Sequence, residues 1–396
     1  MLNPHNTEIC IIGAGPAGAT LSHFLSKQKI EHTLVDKATF PRDKICGDGI
    51  TIDVLNVLKR INPELLEEFA AQPEMLESWG FCFHGSNGKE LRYDFSKDGF
   101  PYPPFFTSRR IDLDNFLVQR LNPAYCNFLS GNTVKSIARV EDGLEILSQS
   151  ALGGTLIKAK MIVGAEGEKP VVTKALGLPH FREKKNLIGG IRVYYKNVKG
   201  FNEGNHLEFF FDKKLLPGYF WAFPLGNGMA NVGLGMVSTE IAKRKVNLKK
   251  MFEQMLTEHP RVSNMFAEAE PMEKPKGWGL PLITPKRIIA GKNYALIGDA
   301  AGMIEPFTGK GIGPGMMSAR ICSEHLAEAL KTKNYDLTSY QQHMYRYYNS
   351  EIRAGYGLQK SLKYPMALNT VVGLFNTGAL KNWSHQKMVK EWKNWM

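Results

Sequence analysis

The sequence has few cysteines, and their arrangement suggests neither cross-linking nor metal binding. A disulfide framework needs an even, regularly spaced set, and a zinc site needs closely spaced pairs such as CxxC. This chain of 396 residues has five scattered cysteines and no CxxC pair: Cys10, Cys46, Cys82, Cys126 and Cys322. We therefore predict reduced thiols and no metal ion.

The sequence also lacks a recognisable targeting or membrane-spanning segment. Residues 1–10 have no basic start followed by an apolar run, so they do not resemble a secretory signal. The apolar stretch 362–380 is interrupted by lysine, proline, asparagine and glycine, which makes it a poor spanning helix. We expect a soluble, cytoplasmic protein without internal repeats.

Charge of one sign is in excess, but no nucleic-acid motif accompanies it. The 50 lysines and arginines outnumber the 38 acidic residues, for a formal charge of +12. Because the basic residues are dispersed, a lipid surface or a polyanionic ligand is favoured over nucleic acid. Met388, Trp392 and Trp395 recur at helical spacing among lysines. This pattern suits a helix in peripheral contact with a membrane, or equally one docked on the protein itself.

The sequence does contain a glycine-rich turn between an apolar run and a helix. Gly13, Gly15 and Gly18 form a GxGxxG pattern after the apolar residues 8–12, and Asp36 follows Gly13 by 36 − 13 = 23 residues. In this pattern the backbone approaches a pyrophosphate at a helix N-terminus, and the carboxylate accepts ribose hydroxyls. The pattern predicts a dinucleotide site, for NAD and FAD equally.

A second glycine segment, late in the chain, favours FAD. Asp299 ends the predicted buried strand 294–299, where its carboxylate would hold the ribityl chain or the pyrophosphate. The glycines of loop 309–311 would let backbone N–H groups reach the pyrimidine edge of a flavin. Pro314 suits the first turn of the following helix. The prediction requires Gly13 and Asp299 to lie close together.

The remaining pattern predicts an α/β protein, α+β overall. A helix is predicted over 112–121, and strands 144–148 and 155–163 are predicted to join through Gly153-Gly154. From about 185 to 285 the sequence is β-rich and aromatic, with Asn227-Gly228 as a hairpin signal. We predict a Rossmann-like FAD-binding domain (1–75, 100–180, 285–330), an inserted antiparallel substrate domain (76–99, 181–284) and C-terminal helices (331–396).

Three further segments resemble the geranylgeranyl reductase family, within the p-hydroxybenzoate hydroxylase-like and glutathione-reductase-like FAD enzymes. Residues 41–49 (PRDKICGDG) resemble the family's PRxKxCGxG, residues 219–224 (YFWAFP) its YxWxFP, and residues 231–235 its NVGLG. The resemblance covers about residues 7–330. It implies reduction of C=C bonds in an isoprenoid lipid by hydride from reduced FAD, with the proton coming from an unidentified acid or water.

The resemblance also implies a set of cofactor contacts. Arg110 belongs to an R-x3-D-x2-L pattern, and its guanidinium would offset pyrophosphate charge. Together with the glycine pattern, the predicted contacts are Gly13, Gly15, Ala17, Gly18, Asp36, Cys46, Gly47, Gly49, Arg110, Val134, Asp299, Gly311 and Ile312. For Cys46, a small buried residue in a tight turn is an equally good explanation.

The resemblance further implies a substrate wall. Tyr219, Trp221 and Phe223 alternate along a predicted strand, so they should share one face of the sheet. The resemblance makes this face the lining of a cavity for an apolar chain, with Tyr219, Trp221 and Cys46 as candidate catalytic-site residues. Ordinary packing in the sheet core is the alternative.

Two positions depart from the family pattern. Glu166 stands where GADG has aspartate, with Pro170 near the expected serine, and Lys310 replaces the glutamate of TGEGI. The electron donor, NADPH or a reduced ferredoxin-type protein, therefore stays open. Two other functions fit the scaffold. One is an aromatic monooxygenase or halogenase, although no GWxWxIP segment is present; the other is a non-catalytic prenyl-binding protein, as in GDP-dissociation inhibitors.

Overall fold

The computed structural model describes residues 3–179, 183–285, 287–376 and 378–395. The chain divides into two compact units, each assembled from three segments. The first unit is Met1–Asp43, Ile111–Arg182 and Pro281–Ala354, and the second is Lys44–Arg110, Glu183–Leu280 and Gly355–Met396. The predicted boundaries differ from this division at 44–75 and 100–110, which the contacts place in the second unit. They also differ at 331–396, which was predicted as a separate lobe but is divided between the two units after Ala354.

The strands and helices follow one another in mixed order. The strands are β1 (Asn3–Ile12), β2 (His32–Val35), β3 (Gly49–Thr51), β4 (Leu76–Ser78), β5 (Gly80–His84), β6 (Glu90–Asp94), β7 (Phe105–Thr107), β8 (Cys126–Leu129), β9 (Thr133–Val140), β10 (Gly143–Ser150), β11 (Gly153–Gly164), β12 (Leu187–Lys196), β13 (Leu207–Phe210), β14 (Tyr219–Gly226), β15 (Met229–Val237), β16 (Glu270–Pro271), β17 (Lys276–Pro281), β18 (Ala290–Gly291) and β19 (Tyr294–Leu296). The helices are α1 (Pro16–Lys27), α2 (Ile52–Ile61), α3 (Pro63–Ala70), α4 (Arg110–Gln119), α5 (Val171–Ala175), α6 (Ser238–Arg244), α7 (Leu248–Glu258), α8 (Pro260–Met265), α9 (Ile312–Thr332), α10 (Thr338–Tyr347), α11 (Asn349–Ser361), α12 (Pro365–Phe375) and α13 (Gly378–Lys393).

The first unit contains a mainly parallel sheet in the order β18-β19-β11-β1-β2-β8, with β10 beside β11 and β9 beside β10. Strand β1 lies parallel to both β11 and β2, and Ile9 and Ile11 in it are fully buried. Such continuous apolar strands are typical of parallel sheets covered on both faces. Helix α1 connects β1 to β2 and packs against α9. This is the predicted Rossmann-like fold.

Two local predictions in the first unit were only partly correct. The hairpin between β10 and β11 forms, but Ala151 and Leu152 make its turn, whereas Gly153 and Gly154 already pair with Ser150 and Gln149 inside the ladder. The positive φ of Gly153, 135°, marks where the strand starts. Helix α4 runs from 110 to 119 instead of 112 to 121.

The second unit contains a sheet in the order β16-β12-β15-β14-β13-β5-β6, with β17 beside β12, and a small sheet β3-β7-β4. Strand β15 pairs antiparallel with both β12 and β14, as predicted, whereas β13 lies parallel to β5. Asn227 and Gly228, with φ of 51° and 70°, form the predicted hairpin turn between β14 and β15. Positive φ at both positions matches the right-handed twist of the flanking strands.

The two faces of this larger sheet differ. On one face, alternate side chains of β12, β14 and β15 form an apolar core with α7 and α8, including Phe220, Val232, Leu234 and Phe252. The residues between them point to the opposite face, since neighbouring side chains in a strand alternate. That face carries Tyr219, Trp221 and Phe223 and is called the aromatic face below.

The C-terminal residues are mostly helical, as predicted. Helix α13 docks on the body of the second unit: the Trp392 ring lies 4.9 Å from that of Phe95 and 5.5 Å from that of Phe105. Asn56 Nδ2 donates a hydrogen bond to the Trp395 carbonyl oxygen at 3.3 Å. Among the described residues, every helix is too short or too polar to cross a bilayer.

Candidate cofactor and substrate sites

The glycine turn of the first unit is too crowded for any side chain. A Cβ at Gly13, whose φ is 104°, would lie 2.4 Å from the Ala165 carbonyl oxygen, and one at Gly18 would lie 1.8 Å from the Gly13 oxygen. Gly15 stands at the N-cap of α1, where no side chain caps the helix, and Pro16 occupies the first turn. The uncapped N–H groups and the helix dipole suit a pyrophosphate.

Asp36 is held at the same turn. One carboxylate oxygen accepts the Ala14 N–H at 2.7 Å and the other accepts the Ala38 N–H at 2.8 Å. Gly13 N–H donates to the Val35 carbonyl oxygen at 2.7 Å, which ties the turn to the end of β2. Since a carboxylate oxygen can accept two hydrogen bonds and each Asp36 oxygen accepts one from these N–H groups, lone pairs are left for ribose hydroxyls.

The late glycine segment joins this turn within the same unit. A Cβ at Gly298 would lie 2.9 Å from the Ala17 Cβ, which places α1 and the Gly298–Ala301 turn in direct contact. A Cβ at Gly311 would lie 3.6 Å from the Asp299 Oδ1. Gly311 is the N-cap of α9, again without a side-chain cap, and Ile312 is the first residue of that helix. The chain thus brings two uncapped helix ends and two carboxylates together, an arrangement that fits FAD.

Sequence reasoning missed the residue that shapes the 305–310 loop. The Glu305 carboxylate accepts the N–H groups of Phe307 at 3.0 Å and Thr308 at 2.7 Å, as well as the Thr308 hydroxyl at 2.6 Å. Lys310, the departure from TGEGI, is exposed. The loop is therefore ordered by an acidic residue five positions before the expected one.

Val134, a predicted contact, lies part-buried near the start of β9, opposite Ser148.

Glu166, the other departure, is enclosed. Its Oε1 accepts the Val172 N–H at 2.9 Å, while its Oε2 has no hydrogen-bond partner among the described residues. Burial raises the pKa of this carboxyl to about 7, although the N–H groups of 171 and 172 oppose the shift. The longer arm of glutamate thus reaches the start of α5.

In the second unit, the segment 46–49 lies on the aromatic face. A Cβ at Gly47 would contact both Trp221 and Phe223 at 3.7 Å, and one at Gly49 would lie 3.3 Å from Phe223. The segment is fixed by Asn231, whose Nδ2 donates to the Cys46 carbonyl oxygen at 2.8 Å. Two motifs far apart in sequence are therefore packed on each other.

The NVGLG segment accommodates the Trp221 indole. Gly233 pairs directly with Trp221 across the β14–β15 ladder. A Cβ at Gly233 would lie 2.3 Å from Trp221 Cζ2, and one at Gly235 would lie 4.0 Å from Cζ3. The indole Nε1 donates to Asn231 Oδ1 at 2.9 Å. Glycine at 233 thus leaves room for the ring to lie across β15, and Asn231 fixes its orientation.

Tyr219, Trp221 and Phe223 do share one face, as alternation predicts. The Trp221 ring centroid lies 6.1 Å from that of Tyr219 and 6.3 Å from that of Phe223. Tyr219 and Trp221 are part-buried, while Phe223 is 7% exposed. The row is therefore apolar and only partly covered by the protein.

Two of the predicted contacts in the second unit, the Cys46 thiol and the Arg110 guanidinium, interact with each other. Burial raises the pKa of the Cys46 thiol, and the nearby Arg110 guanidinium acts in the opposite direction. Arg110 is only 8% exposed.

In the first unit, Asp114 of the R-x3-D pattern pairs with Arg42 of the PRDK segment at 2.5 Å. These two motifs are therefore joined by an ion pair.

Asp48 is the functional candidate that sequence reasoning did not identify. It is fully buried, has a φ of 63°, and its Oδ2 accepts the Tyr194 hydroxyl at 2.6 Å and the Asn231 Nδ2 at 2.8 Å. Its Oδ1 has no hydrogen-bond partner among the described residues. Burial raises the pKa of this carboxyl to about 7, against the opposing effect of its hydrogen bonds. The sequence feature that could have identified Asp48 is an ionisable residue at a position that the PRxKxCGxG pattern leaves unspecified.

One buried cluster has the chemistry of a metal site. The ligating atoms of Cys82, His84 and Glu208 lie within 4.8 Å of one another. His84 Nε2 is hydrogen-bonded to the Glu208 carboxylate, and Arg92 Nη2 lies 3.8 Å from its Oε1. Burial raises the pKa of the Cys82 thiol to about 12, so this thiol stays protonated. A polar network of the protein alone explains the cluster, and the absence of a metal stays a prediction.

Comparison with known families gives one match over most of the chain. The profile described as FAD binding domain matches residues 6–348. Digeranylgeranylglycerophospholipid reductase 1 of Methanosphaera stadtmanae is 26% identical over 97% of this chain and 92% of that protein. Menaquinone reductase of Mycobacterium tuberculosis is 28% identical over 81% of this chain and 76% of that protein.

Solved structures agree on the fold. A geranylgeranyl bacteriochlorophyll reductase-like protein from Thermoplasma acidophilum superposes with a TM-score of 0.82, at 18% identity and 100% coverage of both chains. The flavin-dependent brominase Bmp2 superposes with a TM-score of 0.79, at 17% identity over 97% of this chain and 93% of that one. At such identities the likeness shows a shared fold.

Proposed function

Since the chain belongs to the FAD binding domain family and is an FAD-dependent oxidoreductase, we propose that it reduces carbon–carbon double bonds of an isoprenoid lipid. The observation that carries the proposal is the aromatic face, where glycine at 233 leaves room for Trp221 beside Tyr219 and Phe223. A partly covered apolar row of this length suits a prenyl chain better than a small polar substrate. The names of the two curated relatives support a prenyl-bearing lipid as the substrate class.

The geometry of the first unit and the family resemblance each support a set of proposed cofactor contacts. The contacts supported by the first unit are Gly13, Gly15, Ala17, Gly18, Asp36, Val134, Asp299, Gly311 and Ile312. The resemblance alone adds Cys46, Gly47, Gly49 and Arg110. The N–H groups at the start of α1 would bind the pyrophosphate, and Asp36 would accept ribose hydroxyls. When bound and reduced, the cofactor supplies hydride, the chemistry that no side chain provides.

On the substrate side, Tyr219 and Trp221 would hold the apolar chain, and Cys46 would lie in the segment that packs on them. Aromatic rings also stabilise positive charge that develops on a substrate carbon. Arg110, which is only 8% exposed, suits an anionic head group or the cofactor phosphates. The proposed electron donor is NADPH or a reduced ferredoxin-type protein.

We also propose a peripheral membrane contact through α12 and α13. Trp392 is docked, but other apolar side chains in and beside these helices are exposed: Tyr364 by 69%, Met366 by 82%, Leu374 by 50%, Leu380 by 40% and Trp383 by 57%. Lysines such as Lys360 and Lys387 alternate with them. Exposed apolar and basic residues together favour an anionic lipid surface, where a prenyl lipid would be found.

The proposal is tested by anaerobic incubation of the purified, dithionite-reduced protein with digeranylgeranylglycerophospholipid and, separately, with menaquinone. Any quinol is first reoxidised to the quinone, because reduction of the ring alone also adds two hydrogens. Mass spectrometry should then show products heavier by two hydrogens for each reduced carbon–carbon double bond. Trp221→Ala should lose this activity while it keeps its yellow cofactor. Incorporation of labelled oxygen or bromide into an aromatic substrate would instead indicate a monooxygenase or a halogenase. A colourless, inactive protein that binds prenyl lipid would indicate a non-catalytic carrier.

A further inference from the structure

We infer that Asp48 and Tyr194 form a proton relay for the proposed reduction, with Tyr194 as the donor to the alkene and Asp48 as the group that restores its proton. This inference rests on the proposed function and supplies the acid that the sequence did not reveal. Both residues belong to the second unit, as does the aromatic row.

The geometry of Asp48 is unusual for a turn residue. Its side chain is completely buried, and its two hydrogen bonds both end on Oδ2: the Tyr194 hydroxyl at 2.6 Å and the Asn231 amide at 2.8 Å. Oδ1 is buried and lacks a partner among the described residues. A carboxylate with one oxygen unsatisfied is costly to bury, so the site favours the protonated form.

Tyr194 connects this buried carboxyl to the aromatic face. In the sheet, Tyr194 pairs with Asn231, and Asn231 pairs with Phe223 on its other side. Directly paired residues point to the same face of a sheet, so Tyr194 shares the face of Phe223 and Trp221. Tyr194 is part-buried, whereas Asp48 is fully buried. The tyrosine is therefore the member of the pair that is accessible from this face.

Asn231 makes the pair part of one network with the indole. Its Oδ1 accepts the Trp221 Nε1 at 2.9 Å while its Nδ2 donates to Asp48. Because the amide uses both ends, its orientation is determined by its partners. The side chain that orients the proposed substrate wall therefore also orients the proposed acid.

Charged groups surround the pair. Arg192, on β12, lies with its guanidinium carbon 3.9 Å from the Tyr194 ring centre and forms an ion pair with Glu273. Arg192 and Arg110, together with the hydrogen bonds from Tyr194 and Asn231, lower the pKa of Asp48, and burial outweighs them. The thiol of Cys46 is the nearest other titratable group in the segment. Near neutral pH, both the protonated and the ionised form of Asp48 are therefore populated.

The step balances as follows. The cofactor, when bound and reduced, would supply two electrons and one hydrogen nucleus as hydride to one alkene carbon and would itself be oxidised. The other alkene carbon forms a bond to the proton of the Tyr194 hydroxyl, and that O–H bond breaks. The Tyr194 hydroxyl donates to Asp48 Oδ2 when Asp48 is ionised. When Asp48 carries a proton on Oδ2, this hydrogen bond of 2.6 Å is reversed, so the Tyr194 O–H turns toward the alkene and its oxygen receives the Asp48 proton as its own proton leaves. Asp48 is left as a carboxylate and regains a proton from solvent through the part-buried Tyr194 hydroxyl before the next turnover.

A purely structural role for Asp48 makes a different prediction. Asparagine tolerates the left-handed backbone almost as well as aspartate and keeps an oxygen acceptor for Tyr194. Asp48→Asn therefore preserves the turn and removes only the titratable proton. If the turn alone matters, this variant should behave as wild type.

The first experiment compares the rates of prenyl-lipid reduction. Asp48→Asn and Tyr194→Phe should each be slower by roughly 100-fold or more, the usual contribution of a general acid. The double variant should be no slower than the slower single variant, because the two groups act in one path. The controls are Tyr195→Phe, on the opposite face of the same strand, and Asp142→Asn, whose side chain is 92% exposed. Both controls should keep the wild-type rate.

The second experiment does not depend on activity. Infrared spectra of the protein with and without FAD should show the carbonyl stretch of a protonated carboxyl that disappears with a midpoint near pH 7. These spectra are compared in a Glu166→Gln background, which removes the other buried carboxyl with a pKa near 7. In that background Asp48→Asn should lack this band, Tyr194→Phe should shift it, and Asp142→Asn should keep it. The wild-type rate should fall as the pH rises through the same midpoint, and the rate of Asp48→Asn should not.

The outcomes separate the relay from the function. If wild type reduces prenyl lipids and Asp48→Asn keeps its rate and pH profile, the relay is wrong and the function stands. If the infrared band is missing at every pH, the relay is also wrong. If wild type reduces none of the lipids under any reduced donor, the proposed function is wrong, and the relay fails with it.

Discussion

The cofactor turn of the first unit and the aromatic face of the second place their functional groups by different means. In the first unit, Gly13 and Gly18 hold the backbone in a shape that only glycine permits, within a few residues of chain. In the second unit, Trp221, Asn231 and Asp48 come from three separate segments and meet through sheet register. The first arrangement is local, whereas the second exists only after the sheet has formed.

The two regions should therefore respond differently to mutation. A change in the glycine turn acts on the start of α1 and on cofactor binding at once. A change on the aromatic face leaves the turn intact and acts on the substrate side. Loss of cofactor and loss of activity should therefore be separable, and the following predictions test that separation.

The largest effect is expected for Gly13→Ala. Its Cβ would lie 2.4 Å from the Ala165 carbonyl oxygen in a backbone with a φ of 104°. Strain and overpacking together should cost about 3 kcal/mol and abolish FAD retention. Thermal unfolding and the flavin absorbance of the purified protein measure both. Gly153→Ala is the matched control, since its φ is 135° but nothing lies within 4 Å of the new Cβ. Equal loss in both variants would show that strain alone is responsible.

Gly233→Ala should break the aromatic face with a smaller effect on stability. Its Cβ would lie 2.3 Å from Trp221 Cζ2 and 2.4 Å from the Ile191 oxygen, so the indole must move, at a cost of about 2 kcal/mol. FAD should be retained, while lipid reduction falls at least roughly 10-fold because the substrate is misplaced. Gly277→Ala, with its nearest neighbour at 3.8 Å, is the control. Loss of FAD from Gly233→Ala would contradict the separation.

Asp48→Asn should change the pH dependence of stability. The pKa of Asp48 is raised from 3.8 to about 7 in the folded protein, so its contribution is fully present below about pH 4 and is lost as the pH rises through 7. Asparagine does not titrate, so the variant should gain on the order of 1 kcal/mol over wild type between pH 6 and pH 8. Glu166→Gln should show the same trend in the first unit. Melting curves across this range check both, and a constant difference would refute the assigned protonation.

The smallest effect is expected for Trp383→Ala, which touches neither the glycine turn nor the aromatic face. Its side chain is 57% exposed, so folding should be unaffected, while binding to phosphatidylglycerol vesicles should weaken roughly 10-fold. Cosedimentation measures the binding. Trp392→Phe, in the docked part of α13, should bind as wild type does. Unchanged binding by Trp383→Ala would remove the proposed membrane contact.

Sequence reasoning described the first unit well and the second unit less completely. The GxGxxG turn, Asp36 and the contact between the two glycine segments follow from residues that are close in sequence or carry a known pattern. The shared face of Tyr219 and Trp221 follows from strand periodicity. Asp48 was missed because its importance depends on burial and on Tyr194 and Asn231, which lie 146 and 183 positions away.

The sequence by itself determined the strand–glycine turn–helix element, the β-rich insert with its Asn227-Gly228 hairpin and the helical C-terminal segment. These features depend on local backbone preferences and on the periodicity of apolar residues. Only the tertiary structure decided that Trp221 lies over Gly233 and that Trp392 is docked while Trp383 is exposed. It also decided that Asp48 is buried with one oxygen that finds no hydrogen-bond partner in the described part of the chain. Register and burial arise from contacts between distant segments, and a carboxyl group acquires a pKa near 7 only when such contacts exclude water from it.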